Sequence, residues 1–295
     1  MLDLEREFAA AVVRPFVESY LAGETPIPCS SCNSKVKFAT LWDRARALGC
    51  AAVATGHYVR RGVDAATRRA VLRKGADGAK DQSYFLWDLT PEQLEAARFP
   101  VGDLTKEEVR AHARRASLPT ADKEESQEIC FVPRGSRAGD FVAEQAEKMG
   151  LPLPAASSGA IENTAGERIG SHDGHFRFTI GQRRGMGVAA SERLYVLSID
   201  AAANRVVVGT APELGAREAH AKEVRFLSET PSGSFRAAVR VRHRSPEAPA
   251  TIVPGPNGTA RILFDAAVRA VAPGQSCVFY DGDVVLGGGV LTPVP

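Results

Sequence analysis

The sequence predicts an α/β domain followed by a mainly β half, and three observations support this. Apolar residues recur at helical spacing through the first fifty residues. The apolar run 51–55 is short and lies between Gly49 and Gly56, which is typical of a buried parallel strand. From the Pro/Ala/Ser stretch 151–158 onward, short β-like runs alternate with glycines and polar turns.

Helices are expected at 2–14, from Pro15 to Gly23, and at 34–48. Pro15 suits the first turn of a second helix better than the interior of one long helix. The segment 24–33 holds two prolines and two cysteines and is expected to be a loop. Thr90, and Thr105 with its capping-box partner, each begin a further helix. The α/β domain is expected to end near residue 133.

One more helix is expected within 134–150, closed by Gly150. Seven later runs predict strands, at 176–180, 194–199, 205–208, 237–242, 260–264, 276–280 and 284–291. Residues 200–204 and 281–283 look like hairpin turns. This spacing predicts two small all-β units, the second of them a C-terminal barrel.

Composition limits the function classes. Of the 295 residues, 44% are hydrophobic and 24% charged, the apolar runs are too short to cross a bilayer, and the acidic start is unlike a signal peptide. A cytoplasmic protein with no membrane partner is expected. The net charge is only +2, so a nucleic-acid footprint would be local. Basic residues cluster at Arg60 and Arg61, Arg114 and Arg115, Arg183 and Arg184, and Arg240, Arg242 and Arg244.

The first chemical motif is Cys29-Ser-Ser-Cys32. Two thiols at this spacing can form a redox pair, supply half of a metal site or hold a low-pKa thiolate, and they can also be loop residues without a role. A helix beginning near residue 34, with Lys35 and Lys37, would favour the thiolate of Cys32. A simple redox protein of thioredoxin type is disfavoured, because the motif follows a proline-containing loop instead of a strand.

Three other cysteines complete the count of five, which is odd and argues against a disulfide framework. Cys130 lies in a short apolar run, 128–132, where an isolated cysteine is more often a buried core residue than a reactive one. Cys50 and Cys277 lie in apolar contexts and are expected to be buried without a role.

Two further polar motifs lie next to apolar runs, one at Gly56-His57 and one at Lys80-Asp81-Gln82. Gly56 and His57 come directly after the predicted strand, at the sheet edge where α/β proteins bind ligands. The loop Lys80-Asp81-Gln82 precedes another apolar run. Taken singly, the histidine is compatible with a structural role and the loop with a solvated turn.

In order, these motifs are far more specific than any one alone. The series runs T-P-I-P-C-S-S-C-N-S-K-V-K-F (25–38), A-T-G-H-Y (54–58), K-D-Q-S-Y-F-L (80–86), F-P-V-G (99–102), I-C-F-V (129–132), F-T-I-G-Q-R-R-G-M-G (178–187), A-V-R-A-V-A-P-G-Q-S (267–276) and L-G-G-G (286–289). From about residue 5 to the end, the chain resembles the bacterial tRNA-specific 2-thiouridylases.

The resemblance implies a PP-loop, HUP-type parallel-sheet domain at 1–133, a small mainly β central domain at 134–209 and a C-terminal β-barrel at 210–295. It implies sulfur transfer to C2 of the wobble uridine of tRNA, with ATP and Mg²⁺ activating O2. Cys130 matches the cysteine that carries a persulfide. Cys32 matches the nucleophile that resolves it, leaving a transient Cys32–Cys130 disulfide. A sulfur-donor relay protein is an implied partner.

The remaining site residues are also implied by the resemblance. Gly56 matches an ATP contact. The positions that match tRNA contacts are Ile27, Pro28, Cys29, His57, Lys80, Asp81, Gln82, Arg242, His243 and Gln275. Access to C2 requires the uridine to leave its stack, which costs little in an anticodon loop.

Two departures from the family pattern leave alternatives open. The family's phosphate-binding loop, S-G-G-x-D-S, is not found near residue 1, so a truncated chain, a start codon internal to a longer frame, or a non-catalytic tRNA-binding fragment is expected. In addition, Cys29 stands where some members have Asp. Cys29, Cys32 and Cys130 could therefore hold a [4Fe–4S] cluster in place of persulfide chemistry.

Overall fold

The computed structural model describes residues 3–123, 129–153, 158–228 and 230–293. It has the predicted order of an α/β unit, a small β unit and a C-terminal β-barrel. Within the described residues, no helix has the length and apolar character needed to cross a membrane.

Helix α1 runs without a break over 5–21. It is α-helical at Glu5–Phe8, π-helical at Ala9–Val13 and α-helical again at Arg14–Leu21. The expected break at Pro15 is therefore wrong. The π-helical turn just before the proline changes the hydrogen-bond pattern that the proline ring would otherwise disrupt. The helix buries Val12, Phe16, Val17 and Tyr20.

Helix α2 runs over 28–47, as an α-helical turn at Pro28–Ser31, a π-helical stretch at Cys32–Thr40 and an α-helix at Leu41–Ala47. The prediction of a loop through residue 33 is wrong. Pro28 occupies the first helical turn, where its missing N–H costs nothing and its fixed φ favours the helix. Both cysteines of the C-x-x-C motif are thus helical.

The α/β unit holds a parallel pair of strands, β1 (Val53–Ala54) with β4 (Ala97–Arg98). The predicted strand at 51–55 is confirmed. A hairpin that the periodicity missed, β2 (Val59–Val63) with β3 (Ala70–Lys74), follows β1. The helices α3 (Pro91–Ala96) and α4 (Lys106–Arg115) begin at complete capping boxes on Thr90 and Thr105, as predicted.

Helix α5 (Ala138–Met149) packs against α1 and ends at Gly150, whose φ of +64° is the left-handed conformation of a helix cap. Beyond it, four strands form a sheet in the order β6 (Arg168–His172), β5 (Gly159–Glu162), β8 (Arg205–Gly209), β7 (Tyr195–Asp200). The strand expected at 176–180 is wrong. That segment forms a 3₁₀ turn at His175–Arg177, and Phe176 and Phe178 are buried as anchors.

Six antiparallel strands close the C-terminal barrel. Their order is β13 (Ser276–Asp281), β10 (Phe235–Arg240), β11 (Ala248–Pro254), β12 (Ala260–Arg269), β9 (Gly215–Phe226) and β14 (Val284–Thr292), and β14 pairs again with β13. The hairpin turn predicted at 281–283 joins the last two strands.

The α/β unit and the barrel share one hydrophobic core. Strand β14 pairs with β3 at Val284 and Arg73. Leu72, Tyr84 and Trp87 pack in one cluster with Val278 and Tyr280 of the barrel. This common core fixes the position of the barrel relative to the cysteine helix.

Candidate thiol centre and nucleic-acid interface

Cys29 and Cys32 lie three positions apart on helix α2, a spacing that puts two side chains on the same side of a helix. Cys29 is exposed to solvent and Cys32 is half-buried, and both are free thiols. Neither cysteine is therefore fully buried in the core.

Cys130 lies in a turn closed by the bond from the Val132 N–H to the Ile129 carbonyl, 3.1 Å. The next residue, Phe131, packs edge-on against Phe16, with ring centroids 5.2 Å apart. Partial burial of the phenylalanine holds the turn against α1, and Cys130 remains exposed. The expectation that this cysteine is buried is wrong, since its neighbours Ile129, Phe131 and Val132 pack against the core in its place. Cys277 is buried as expected, whereas Cys50 is exposed.

Cys130 lies in the same region of the fold as Cys29 and Cys32. A charge on Cys130 raises the pKa of both Cys29 and Cys32, so its thiol lies within electrostatic range of both. Cys32 and Cys130 are about a hundred residues apart in the chain. Their approach is a property of the packing of the 129–132 turn against α1, and no local pattern contains it.

The expectation of a readily formed Cys32 thiolate is wrong. Partial burial raises the pKa of Cys32 above its usual value, and the nearby ammonium of Lys37 offsets only part of that rise. The pKa of Cys29 is likewise raised, first by burial and then by Cys130. Because α2 begins at Pro28, its free N-terminal amides lie in the turn of Cys29 and do not point at Cys32.

The three cysteines do not form a ready ligand set for a cluster. Across residues 3–123, 129–153, 158–228 and 230–293, no three His, Cys, Asp or Glu side chains are arranged to hold a metal ion. The geometry thus gives no support to a [4Fe–4S] site on Cys29, Cys32 and Cys130.

Gly56 and His57 follow strand β1 as predicted. Gly56 is exposed, and no atom lies within 4 Å of where a side chain would begin. Nδ1 of His57 is 2.9 Å from Oγ1 of Thr55. Burial, aided by the charge of Lys37, lowers the pKa of His57 to about 4. The imidazole is therefore neutral at physiological pH and serves as a hydrogen-bonding group, not a cation.

Hydrogen bonds from neighbouring residues to Asp81 and Gln82 hold the loop at 80–82 in place. Asp81 accepts hydrogen bonds from the Gly75 N–H at 3.1 Å, from the N–H and hydroxyl of Ser83, and from Arg240 at 3.3 Å. Oε1 of Gln82 accepts from the Tyr58 N–H at 2.9 Å. Asp81 is buried, and Lys80 is the half-exposed cation that this frame presents.

The three predicted barrel residues have different surroundings. Nη2 of Arg242 donates to the carbonyls of Ile180 and Ala270, at 3.2 and 3.0 Å, and so joins the central unit to the barrel. Gln275 is buried and donates to the Thr25 carbonyl at 2.6 Å, which fixes the segment leading into α2.

His243 belongs to an aromatic stack that reaches the cysteine helix. Its ring lies 4.4 Å from that of Phe85, tilted by 33°. The Phe85 carbonyl accepts a 3.0 Å bond from Nδ2 of Asn33, the neighbour of Cys32. Sequence reasoning did not single out Asn33 or Phe85, although both lie inside the motifs at 25–38 and 80–86. The sequence feature that could have identified them is their position: Asn33 directly follows Cys32, and Phe85 is an aromatic residue within the motif at 80–86.

Comparisons with known proteins agree with this architecture. Residues 1–134 match the family model described as tRNA methyl transferase HUP domain. Residues 152–210 match the model described as tRNA methyl transferase PRC-barrel domain. Residues 216–291 match the model described as aminomethyltransferase beta-barrel domain.

Curated relatives match almost the whole chain. The tRNA-specific 2-thiouridylase MnmA of Acidobacterium capsulatum is 46% identical over 98% of this chain and 78% of its own length. The chain belongs to the tRNA-specific 2-thiouridylase family. The 2-thiouridylase of Solibacter usitatus, at 45% identity over 98% of this chain and 78% of its own, and that of Syntrophotalea carbinolica, at 44% over 98% and 80%, agree.

Within this family, the three units are a HUP-type parallel-sheet domain, a PRC-barrel domain and a closed antiparallel β-barrel. The thiol centre lies on the HUP domain, and the Phe85–His243 stack connects it to the barrel of the 2-thiouridylase fold.

Proposed function

We propose that this chain is a tRNA-uridine 2-sulfurtransferase that replaces O2 of the wobble uridine with sulfur by way of a cysteine persulfide. One observation carries the proposal. Cys32 and Cys130 come from distant segments yet lie within electrostatic range of each other, in a chain whose relatives are named tRNA-specific 2-thiouridylases. Two thiols are what persulfide transfer and its resolution require.

ATP, with Mg²⁺, supplies the activation by making the O2 of the uridine part of an AMP leaving group. Gly56 suits a nucleotide contact, because it is exposed at the carboxyl end of β1 with open space above it. Neutral His57 next to it donates or accepts a hydrogen bond toward tRNA without adding charge.

The sulfur steps use the two thiols in turn. The terminal sulfur of a persulfide on Cys130 attacks C2, the new S–C bond forms, and AMP leaves with the original oxygen. The thiolate of Cys32 then attacks Sγ of Cys130. The S–S bond to the transferred sulfur breaks, its electron pair forms the C2 thiocarbonyl, and a Cys32–Cys130 disulfide remains. A thiol reductant opens that disulfide with two electrons and two protons.

The exposure of Cys130 fits its role as the acceptor of sulfur from another protein. A relay protein that carries a persulfide has to bring its own sulfur to this thiol, and a buried cysteine would be out of reach. We therefore infer that a sulfur-donor protein docks at the 129–132 turn.

The tRNA contacts divide by accessibility. Ile27, Pro28 and Cys29 form the start of α2 beside the reactive thiol, so we place the flipped uridine there. We place Lys80 and His243 on the same tRNA path; His243 stacks on Phe85, whose carbonyl is bonded to Asn33 beside Cys32. Asp81, Gln82 and Gln275 act as the framework of the tRNA site through their hydrogen bonds, and Arg242 fixes the barrel against the central domain.

The test is thiolation of anticodon-stem RNA with ATP, a persulfide donor and a thiol reductant, followed on a mercury-containing gel. Cys32→Ser and Cys130→Ser should each reduce product at least roughly a hundredfold and leave RNA affinity unchanged. Cys50→Ser is the matched control, since Cys50 is an exposed cysteine outside the thiol centre. Full activity in either of the first two variants would refute the assigned roles.

The same assay separates the alternatives. A [4Fe–4S] mechanism would require Cys29 as well. Loss of activity in Cys29→Ser, together with iron and sulfide in anaerobically purified protein, would favour it over persulfide chemistry. Wild-type protein that binds the RNA yet forms no thiouridine would indicate a tRNA-binding chain without catalysis.

A further inference from the structure

A hydrogen-bonded turn in the central domain presents two adjacent arginines to solvent. Residues 181–187 contain three glycines with positive φ, at +84° for Gly181, +79° for Gly185 and +70° for Gly187. These left-handed conformations fold the backbone tightly without side-chain strain. Arg183 and Arg184 lie between them, and both are exposed.

The side chain of Gln182 holds the turn in shape. Its Oε1 accepts the Thr179 N–H at 3.1 Å, and its Nε2 donates to the Arg184 carbonyl at 2.9 Å. The backbone of the turn also pairs with the start of β7, because Gly181 N–H donates to the Val196 carbonyl and Val196 N–H donates to that of Gln182. The arginines therefore project from a fixed backbone, and ordering it costs little entropy on binding.

In each of the other basic clusters, at least one arginine forms an ion pair with a carboxylate. Arg60 pairs with Asp283, Arg114 with Asp122, and Arg240 with Asp81 and Glu247. Within the part of the chain that the structure describes, neither Arg183 nor Arg184 forms an ion pair. A pair of adjacent, unneutralised guanidinium groups on a nearly neutral protein is a local positive site suited to phosphates.

Direct contacts connect this turn to the thiol centre. The carbonyl of Ile180, just before the turn, accepts from Arg242. The next residue, His243, stacks on Phe85, which is bonded to Asn33 beside Cys32. On the other side, the Arg269 guanidinium of the barrel lies 5.8 Å from the ring of Tyr195, the first residue of the strand β7 that pairs with the turn. These contacts link the backbone just before the turn, by way of Arg242, His243 and Phe85, to Asn33 beside Cys32.

We propose that Arg183 and Arg184 are a phosphate-contacting site for the body of the tRNA, positioned by the 181–187 turn. The inference rests on the proposed function, since the ligand is the backbone of the RNA whose uridine reacts at the thiols. The site adds affinity and orientation without reading sequence.

The test measures the affinity of the full chain for tRNA between 50 and 200 mM salt by fluorescence anisotropy. Log affinity falls as log salt concentration rises, and replacing Arg183 and Arg184 together by Gln should make this slope less steep by about 1.8, if each arginine contacts one phosphate of a duplex stem. KM for tRNA in the thiolation assay should rise, with kcat unchanged. The melting temperature should be unaltered because both side chains are exposed.

A matched control is the double replacement of Arg68 and Arg69 by Gln, which removes two adjacent exposed arginines from the β2–β3 hairpin. An unchanged slope in the Arg183/Arg184 variant, or an equal fall in the control variant, would overturn the inference while leaving the proposed function intact. Wild-type protein without affinity for tRNA would remove both.

Discussion

Replacement of Asp81 by Ala should destabilise the whole protein, because this carboxylate joins the α/β unit to the barrel. Its side chain is only 3% exposed. It accepts from the Gly75 N–H, from the Ser83 N–H and from the Ser83 hydroxyl at 2.8–3.1 Å, and from Arg240 at 3.3 Å. Alanine would leave the N–H groups of Gly75 and Ser83 without this acceptor and would remove one of the two carboxylates that pair with Arg240.

The magnitude follows from those partners. A buried donor that loses its acceptor costs about 1–3 kcal/mol, and breaking a buried ion pair from one side costs about 3–5 kcal/mol. Arg240 keeps Glu247 at 2.7 Å, which limits the loss on its side. We expect a total loss of about 4 kcal/mol, a lowering of the melting temperature by roughly 10 °C for a chain of this size. Asp81→Asn keeps one acceptor oxygen, so its free energy of unfolding should fall by less than half as much as that of Asp81→Ala.

Thermal unfolding followed by circular dichroism measures the effect. Asp265→Ala is the matched control, since it breaks the exposed bidentate pair of Asp265 with Arg236 on the same barrel and should leave the melting temperature nearly unchanged. The Asp81 variant should also bind tRNA more weakly, since Lys80 loses its frame. A melting temperature for Asp81→Ala equal to that of the wild type would refute the argument.

Three further outcomes are expected. Lys37→Gln should slow alkylation of Cys32 at pH 7–8, measured by peptide mass spectrometry, because Lys37 lowers the pKa of that thiol. The control variant Lys35→Gln should react at the wild-type rate. Equal alkylation rates in the two variants would contradict the role given to Lys37. NMR should find the pKa of His57 near 4 in the folded protein. Because the unfolded chain takes up this proton at a higher pH than the folded one, the free energy of unfolding should fall as the pH drops from 6.5 toward 4. A pKa near 6.5 in the folded protein would contradict burial of the ring. Gly102→Ala should cost about 1–3 kcal/mol in thermal unfolding, because its Cβ would lie 1.9 Å from the Val59 carbonyl oxygen, and a neutral effect would show that the backbone yields there.

Local patterns predicted the elements whose stability is local. The capping boxes at Thr90 and Thr105, the glycine end of α5, and the hairpin turn between β13 and β14 were all predicted correctly. Each of these depends on residues within four or five positions of one another. The periodicity failed where a longer-range arrangement took over, as at Pro15, where α1 continues through a π-helical turn, and at Pro28, where α2 begins early.

The sequence by itself determined the motif order, and with it the family and the identity of the thiols as reactive candidates. Only the tertiary structure decided that Cys130 is exposed and within electrostatic range of Cys32, and that burial outweighs Lys37 in setting the pKa of Cys32. It also decided that Asp81 and Gln275 are buried. The physical reason is that desolvation and proximity depend on atoms supplied by segments far apart in the chain. A residue's neighbours in sequence do not fix how much water or which charges surround it once the chain has folded.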